Sequence, residues 1–321
     1  MAQGARRSCT TRGPSISGCS GARIGVCFLL IVASMVQAEP RFETNVIYGM
    51  YSGLALLMDV YYPEKANGYG VLHITGTGWH DPLGFEAVPQ KASNQVQIFG
   101  KPLVDAGYTL FAVNHRAAPR FRYPAQLEDV QRAVRFIRHN ARRFGINPDR
   151  IGGVGGSSGG HLIAMLGVLD GRGDQDTADP VDRQSAKLQC VVTRAAPVDL
   201  IRMNGNWEFG NATIASLIGM PLSGRDPKTS KQYKAYWEAS PINYVSPDDP
   251  PFLLIHGDAD RSVPIVESET MQEALQKAGV AAELIRIPGG AHGPTFPGAK
   301  NPPDFISEMV RWFDERLRRQ Q

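Results

Sequence analysis

Three short stretches of this chain hold residues that could together attack a carbonyl carbon. The first is Gly155-Gly156-Ser157-Ser158-Gly159-Gly160, which contains a G-x-S-x-G pattern in two frames, one centred on Ser157 and one on Ser158. The second is His256-Gly257-Asp258-Ala259-Asp260-Arg261-Ser262-Val263-Pro264, and the third is Gly289-Gly290-Ala291-His292-Gly293. A serine hydroxyl is a weak nucleophile until a base takes its proton, and the base needs a carboxylate to fix its tautomer. Serine, then aspartate, then histidine is the chain order in which one large fold class supplies these groups.

The segments around these stretches can position such groups. Ile151–Val154 is a short apolar run that reads as a strand, and Leu162, Ile163, Leu166 and Leu169 after the serines have helical spacing. A serine at a tight strand-to-helix turn holds its hydroxyl above a sheet, and glycines around it avoid collisions with strand and helix. Two rival glycine-loop readings fail. The dinucleotide fingerprint requires Gly where Ser158 stands, and a phosphate-binding loop requires Lys and Ser/Thr where His161 and Leu162 stand. Phe252–His256 and Glu283–Ile287 read as strands, so Asp258 or Asp260 and then His292 follow strand ends. His292 alone among the histidines combines a loop after a late strand with flanking glycines. His73, His115, His139, His161 and His256 lie in or beside strands and helices, where packing roles are usual.

The wider chain alternates in the same way. Thr44–Met50 and Leu54–Tyr62 read as an edge hairpin turning at Tyr51-Ser52-Gly53, followed by strands at Val71–Thr75, Thr109–Asn114 and Leu188–Ala195. Helices are expected over Ala92–Ala106, from Pro124 with an apolar face of Leu127, Val130, Val134, Ile137 and Ala141, over Val266–Ala278, and over Asp304–Arg319. This alternation predicts an α/β fold, a mostly parallel sheet with helices on both faces. Asp199–Val245 interrupts it without a strand signal and reads as a small cap-like insertion. Asp170–Asp182 is an acidic stretch, a solvated loop or a calcium site, although it lacks the spacing of a helix–loop–helix calcium motif.

The first 38 residues differ from the rest. Arg6, Arg7, Arg12 and Arg23 precede an apolar run from Ile24 to Val36 and a small-residue end at Ala38. This is the layout of a signal peptide cleaved after about Ala38, leaving a catalytic domain over 39–321 in a secreted or periplasmic protein with no membrane span. The formal charge is +3, from 34 basic and 31 acidic residues; without those four arginines, 30 face 31, a net of −1. No basic excess remains for nucleic acid. Of four cysteines only Cys190 lies outside this leader, which excludes an intramolecular disulfide in the remainder and fits a buried apolar role.

Longer blocks carry a family resemblance. Tyr123-Pro124-Ala125-Gln126-Leu127-Glu128-Asp129-Val130, Asn147-Pro148-Asp149-Arg150-Ile151, the serine stretch, Ser240-Pro241 and Pro250 to Asp260 resemble the bacterial acetyl/feruloyl-esterase-like branch of α/β-hydrolases, related to the hormone-sensitive-lipase group. The similarity runs from about Tyr48 to the C-terminus. It implies an α/β-hydrolase fold, with Ser157 as nucleophile because it stands four residues before His161, and Asp260 as acid because it stands three before Val263-Pro264. It implies a serine esterase acting through an acyl-enzyme on short-chain acyl, acetyl or aryl esters, free or linked to polysaccharide, with no metal or cofactor. The family's H-G-G-G-W loop corresponds to Thr75-Gly76-Thr77-Gly78-Trp79, so Gly76, Thr77 and Ser158 are the expected oxyanion donors. A serine peptidase or amidase on the same fold, or a non-catalytic binding protein, are the alternatives.

Overall fold

The computed structural model describes residues 41–204 and 210–318. The expected leader lies outside the described residues, as do Trp207 and Phe209 of the insertion. Strand β1 (Phe42–Tyr51) folds back on β2 (Leu54–Tyr61). Ser52 and Gly53, with φ of 46° and 83°, form the two-residue turn between paired Tyr51 and Leu54, the primed geometry that suits the twist of a hairpin. The remaining strands are β3 (Gly70–Ile74), β4 (Thr109–Val113), β5 (Ile151–Gly156), β6 (Cys190–Arg194), β7 (Phe252–Gly257) and β8 (Ala282–Ile287). They form one sheet in the order β1-β2-β4-β3-β5-β6-β7-β8, antiparallel over the first three and parallel thereafter. Every residue of β3 to β7 is buried, as expected of strands covered on both faces.

Two apolar layers provide that cover. On one face, Leu103 of α1 (Lys101–Asp105) packs with Met309, Trp312 and Phe313 of a C-terminal helix against Val71, Val154 and Ile255. The other face carries α2 (Ala125–His139), α3 (Ala141–Phe144) and α4 (Ser158–Val168). The insertion supplies α5 (Leu200–Met203), α6 (Gly210–Ile218) and α7 (Lys231–Glu238), followed by α8 (Val266–Lys277) on the sheet and then α9 (Phe305–Phe313), the C-terminal helix above. Trp312 and Phe313 are wholly buried; truncating such an aromatic to Ala removes about 3–5 kcal/mol. The helix α4 is buried along its entire length, since it is sandwiched between sheet and insertion.

Some local expectations change. The helix expected over Ala92–Ala106 is a short 3₁₀ turn at Gln90–Ala92, a wide π turn at Val96–Gly100, and then α1. Pro102 accounts for the widening: it has no N–H for the carbonyl four residues back, and its ring would collide with that carbonyl. The long helix ends at His139, and Ala141 begins the separate turn α3, closed by Gly145 at φ 67°. In the acidic stretch, Asp179 and Asp182 both pair with Arg132, and Asp170 pairs with Arg172. Among the described residues no group of carboxylates and histidines is arranged to hold a metal ion, and no helix is long and apolar enough to cross a membrane. Cys190 is a buried free thiol, with burial pushing its pKa up.

Candidate active site

The serine stretch forms a sharp elbow at the carboxyl end of β5. Ser157 has φ 52° and ψ −124°, a conformation that costs a non-glycine residue roughly 1–3 kcal/mol. Two hydrogen bonds hold it there. Its N–H donates to the Arg194 carbonyl at 2.7 Å, and its carbonyl accepts from the His161 N–H at 2.9 Å. The sheet register sets Gly155 beside Ile74 and Gly156 beside Arg194. The glycines are there for space: a Cβ on Gly159 would lie 2.1 Å from the Ile74 carbonyl oxygen, and one on Gly155 2.6 Å from the Gly159 backbone.

Ser157, Asp260 and His292 converge from three strand ends. His292 Nε2 lies 3.0 Å from Ser157 Oγ, and His292 Nδ1 lies 2.6 Å from Asp260 Oδ2. Asp260 Oδ1 accepts the N–H groups of Ser262 and Val263, both at 2.9 Å. Burial alone would raise the pKa of Asp260, but the neighbouring His256 ring at 3.6 Å and the bonds from His292 and the Val263 N–H outweigh it and hold the carboxyl well below its ordinary range. Asp258, the competing carboxylate, accepts the Gly289 N–H and so supports the backbone of the histidine loop. The two loops close on each other through backbone: a Cβ on Gly257 would lie 2.0 Å from the Gly290 carbonyl oxygen.

The remaining histidines do other work. His161 accepts from Trp79 Nε1 at 3.2 Å through Nδ1 and donates through Nε2 to the Ala239 carbonyl at 2.7 Å. It is therefore neutral, with burial pushing its pKa down to about 4, and it ties the Thr75–Trp79 loop to the end of α7. His256 is buried between Ser268 Oγ and the Val263 carbonyl.

The oxyanion-side loop differs from expectation. The Thr75 hydroxyl donates to the Gln90 carbonyl at 2.8 Å. Gly76 N–H goes to Gln95 Oε1 at 3.2 Å, while Gln95 Nε2 donates back to the Gly76 carbonyl at 3.0 Å. Thr77 N–H goes to Ser158 Oγ at 2.9 Å. The expected donors Gly76 and Thr77 thus already have side-chain acceptors. Gly78 and Trp79, at φ 68° and 62°, are the loop residues that line the adjoining cavity. That cavity is about 220 Å³, and Ser157, Ser158, His292, Met203, Ile214 and Val263 also line it. Ser158 heads α4, where the first N–H groups have no acceptor within the helix.

Arg194, like Gln95, is a site residue that the sequence did not reveal. Its backbone carbonyl holds Ser157, and its side chain donates through Nη1 to the Gly293 carbonyl at 2.7 Å. One residue thereby ties the elbow to the histidine loop. The guanidinium is 3% exposed and lies near the rings of Phe99 and Phe296. Burial pulls its pKa down to about 10, opposed by the charge of Asp260. The available signal was a cation at the end of an otherwise apolar strand.

This sheet order, with an elbow after the fifth strand and an acid and a histidine after the seventh and eighth, defines an α/β-hydrolase fold. The chain belongs to the BD-FAE family, whose model matches residues 58–275. It is 32% identical over 197 residues to esterase LipQ of Mycobacterium tuberculosis, covering 59% of this chain and 44% of the relative. A probable carboxylic ester hydrolase of the same organism, LipM, is 27% identical over 57% of this chain and 42% of its own length. The chain thus spans less than half of these curated relatives. Among solved structures, a truncated carbohydrate esterase from gut microbiota superposes with a TM-score of 0.70 at 30% identity, covering 88% of this chain and 98% of that one. An acetyl ester-xyloside bifunctional hydrolase from Caldicellulosiruptor lactoaceticus gives 0.70 at 26% identity, covering 86% and 97%.

Proposed function

We propose that this protein is an exported serine esterase that cleaves short-chain acyl or acetyl esters through an acyl-enzyme. The observation that carries the reading is the continuous hydrogen-bonded line from Ser157 through His292 to Asp260 beside a small, largely apolar cavity. The esterases and carbohydrate esterases to which the chain is similar support the same reaction class. Ser157 Oγ attacks the ester carbonyl carbon while its proton passes to His292 Nε2. The ionised Asp260 holds Nδ1–H and stabilises the imidazolium. The tetrahedral oxyanion takes the N–H groups of Ser158 and Gly78, with Thr77 N–H recruited when the Ser158 hydroxyl turns away. The carbon–oxygen bond to the alcohol then breaks, and the alkoxide takes the proton from His292. Water, deprotonated by His292, attacks the acyl-enzyme and returns the serine.

The cavity volume of about 220 Å³, with Met203, Ile214 and Val263 in its wall, suits an acetyl to butyryl chain. Assay of 4-nitrophenyl acetate, butyrate and decanoate against an aminoacyl anilide tests this. Hydrolysis of the acetate and butyrate, with loss of activity in Ser157→Ala, is expected. Cleavage of the anilide alone would make the protein a peptidase or amidase, and cleavage of none would end the enzyme reading. Export is tested by sequencing the N-terminus of the protein recovered outside the cytoplasm; a start near Met1 refutes cleavage after Ala38.

A further inference from the structure

The guanidinium of Arg194 is buried in surroundings that do little to balance its charge. It lies across Gly156, the residue before Ser157. A Cβ on Gly156 would stand 2.3 Å from Arg194 Nη2 and 2.7 Å from Nε, so the glycine leaves it room. Arg194 Cζ is 5.6 Å and 5.8 Å from the ring centroids of Phe99 and Phe296. His73 is neutral: burial first, and then the charge of Arg194, push its pKa down to about 4. Among the described residues no carboxylate forms an ion pair with Arg194, and its Nε is a buried donor without a partner. Asp260 acts on it through its charge, but the Asp260 oxygens are taken by His292, Ser262 and Val263. Burying a cation in this way is costly, and replacing buried charges by apolar side chains of similar volume is often neutral or stabilising. A role other than stability is needed to account for this residue.

Its hydrogen bond points to that role. Arg194 Nη1 donates to the carbonyl of Gly293, the residue after His292, at 2.7 Å. The chain before His292 is held by backbone: the Ala259 N–H donates to the Gly290 carbonyl at 3.1 Å, and the Ala291 N–H to the Pro297 carbonyl at 2.8 Å. After His292, the Gly293 carbonyl takes Arg194 and a longer bond, 3.3 Å, from the Phe296 N–H. The His292 side chain is 25% exposed, so its aim depends on the backbone that carries it. Displacing a catalytic group by about 1 Å costs on the order of 10² in rate.

We propose that Arg194 is a positioning residue that turnover requires and the fold does not: its guanidinium holds the Gly293 carbonyl so that His292 Nε2 stays within reach of Ser157 Oγ. The role rests on the triad chemistry of the esterase reading above. Arg194 acts through His292 and touches none of the reacting atoms.

Arg194→Met keeps an apolar stem and drops the charge and the donor, and so separates positioning from folding. With 4-nitrophenyl acetate, kcat is expected to fall at least about tenfold while KM stays within about threefold. The Tm is expected to stay the same or rise. Labelling of Ser157 by a fluorophosphonate, which needs the Ser157–His292 pair but no particular ester, is expected to slow by the same factor. In Arg194→Ala, millimolar guanidinium chloride is expected to restore kcat severalfold relative to the same concentration of sodium chloride. Unchanged kcat and labelling in Arg194→Met, a fall in Tm large enough to account for the lost activity, failure of Arg194→Met to fold, or no rescue of Arg194→Ala by guanidinium overturns the proposal. A wild-type protein that is labelled but cleaves no ester counts against the esterase reading alone, and the labelling rates then decide the role of Arg194.

Discussion

The elbow at Ser157 and the loop at Thr75–Trp79 face each other across the same cavity, yet they are held in place by different means. The elbow is fixed by backbone. Ser157 is strained, its N–H and carbonyl are both engaged, and Gly155 and Gly159 let the chain approach within distances that no side chain permits. The loop shares some of that backbone contact, with Gly76 close against the Gly156 carbonyl and the Ala118 N–H on the Trp79 carbonyl at 2.9 Å, but side chains add most of its tethers: Thr75 on Gln90, Gln95 on Gly76, and Ser158 on Thr77. Backbone contact sets a position that hardly any substitution can shift without unfolding the site. Side-chain tethers set one that can be adjusted residue by residue.

The largest expected effect falls on the elbow. Gly159→Ala places a methyl group against the Ile74 carbonyl, and a loss of about 4 kcal/mol or more is expected; a thermal melt and the yield of folded protein measure it. An unchanged melt for the Gly159→Ala protein would mean that the elbow is not backbone-locked.

Asp260→Asn tests the charge beneath the elbow. A drop in kcat of roughly 10⁴ is expected, as the histidine loses its tautomer and its counter-charge. The variant also carries a pH signature. The folded-state pKa of Asp260 is lowered, so its contribution to stability is complete above the unfolded carboxylate value of about 3.9 and is lost as pH falls through the folded value. The gap in Tm between wild type and Asp260→Asn is expected to narrow below about pH 4. A gap independent of pH there would contradict an ionised, paired Asp260.

The loop yields smaller changes. Gln95→Ala removes both bonds to Gly76. A fall in kcat of about tenfold with little change in KM is expected, short of the roughly 10²–10³ for deleting an oxyanion donor outright. Ser158→Ala keeps the Ser158 N–H and releases Thr77 N–H, so kcat is expected to stay within about threefold of wild type. A collapse of kcat in Ser158→Ala would mean that its hydroxyl, and not its backbone, serves the reaction.

The same contrast explains what the sequence disclosed. The serine, carboxylate and histidine stretches could be picked out because their chemistry demands those residue types, and because glycines mark the places where backbone must come close; the choice of Ser157 over Ser158 and of Asp260 over Asp258 came from the family resemblance. Parallel strands could be picked out for a similar reason, as unbroken apolar runs buried on both faces. Gln95 and Arg194 could not, because their roles come from partners far along the chain: Gln95 is 19 residues from Gly76, and Arg194 is 99 from Gly293. The register between β3 and β5 brings the loop to the elbow, and no local pattern encodes that register. The helix expected across Ala92–Ala106 was altered by Pro102, whose effect on the preceding turn depends on packing against the sheet.

In the proposed reaction Ser157 carries the acyl group during turnover. Rapid quenching of a reaction with 4-nitrophenyl acetate, followed by mass analysis of proteolytic peptides, tests it most directly. A single acetyl group is expected on the hydroxyl of Ser157, and none on that peptide in Ser157→Ala. An acetyl group on Ser158, or full turnover with no acylated serine, would contradict it.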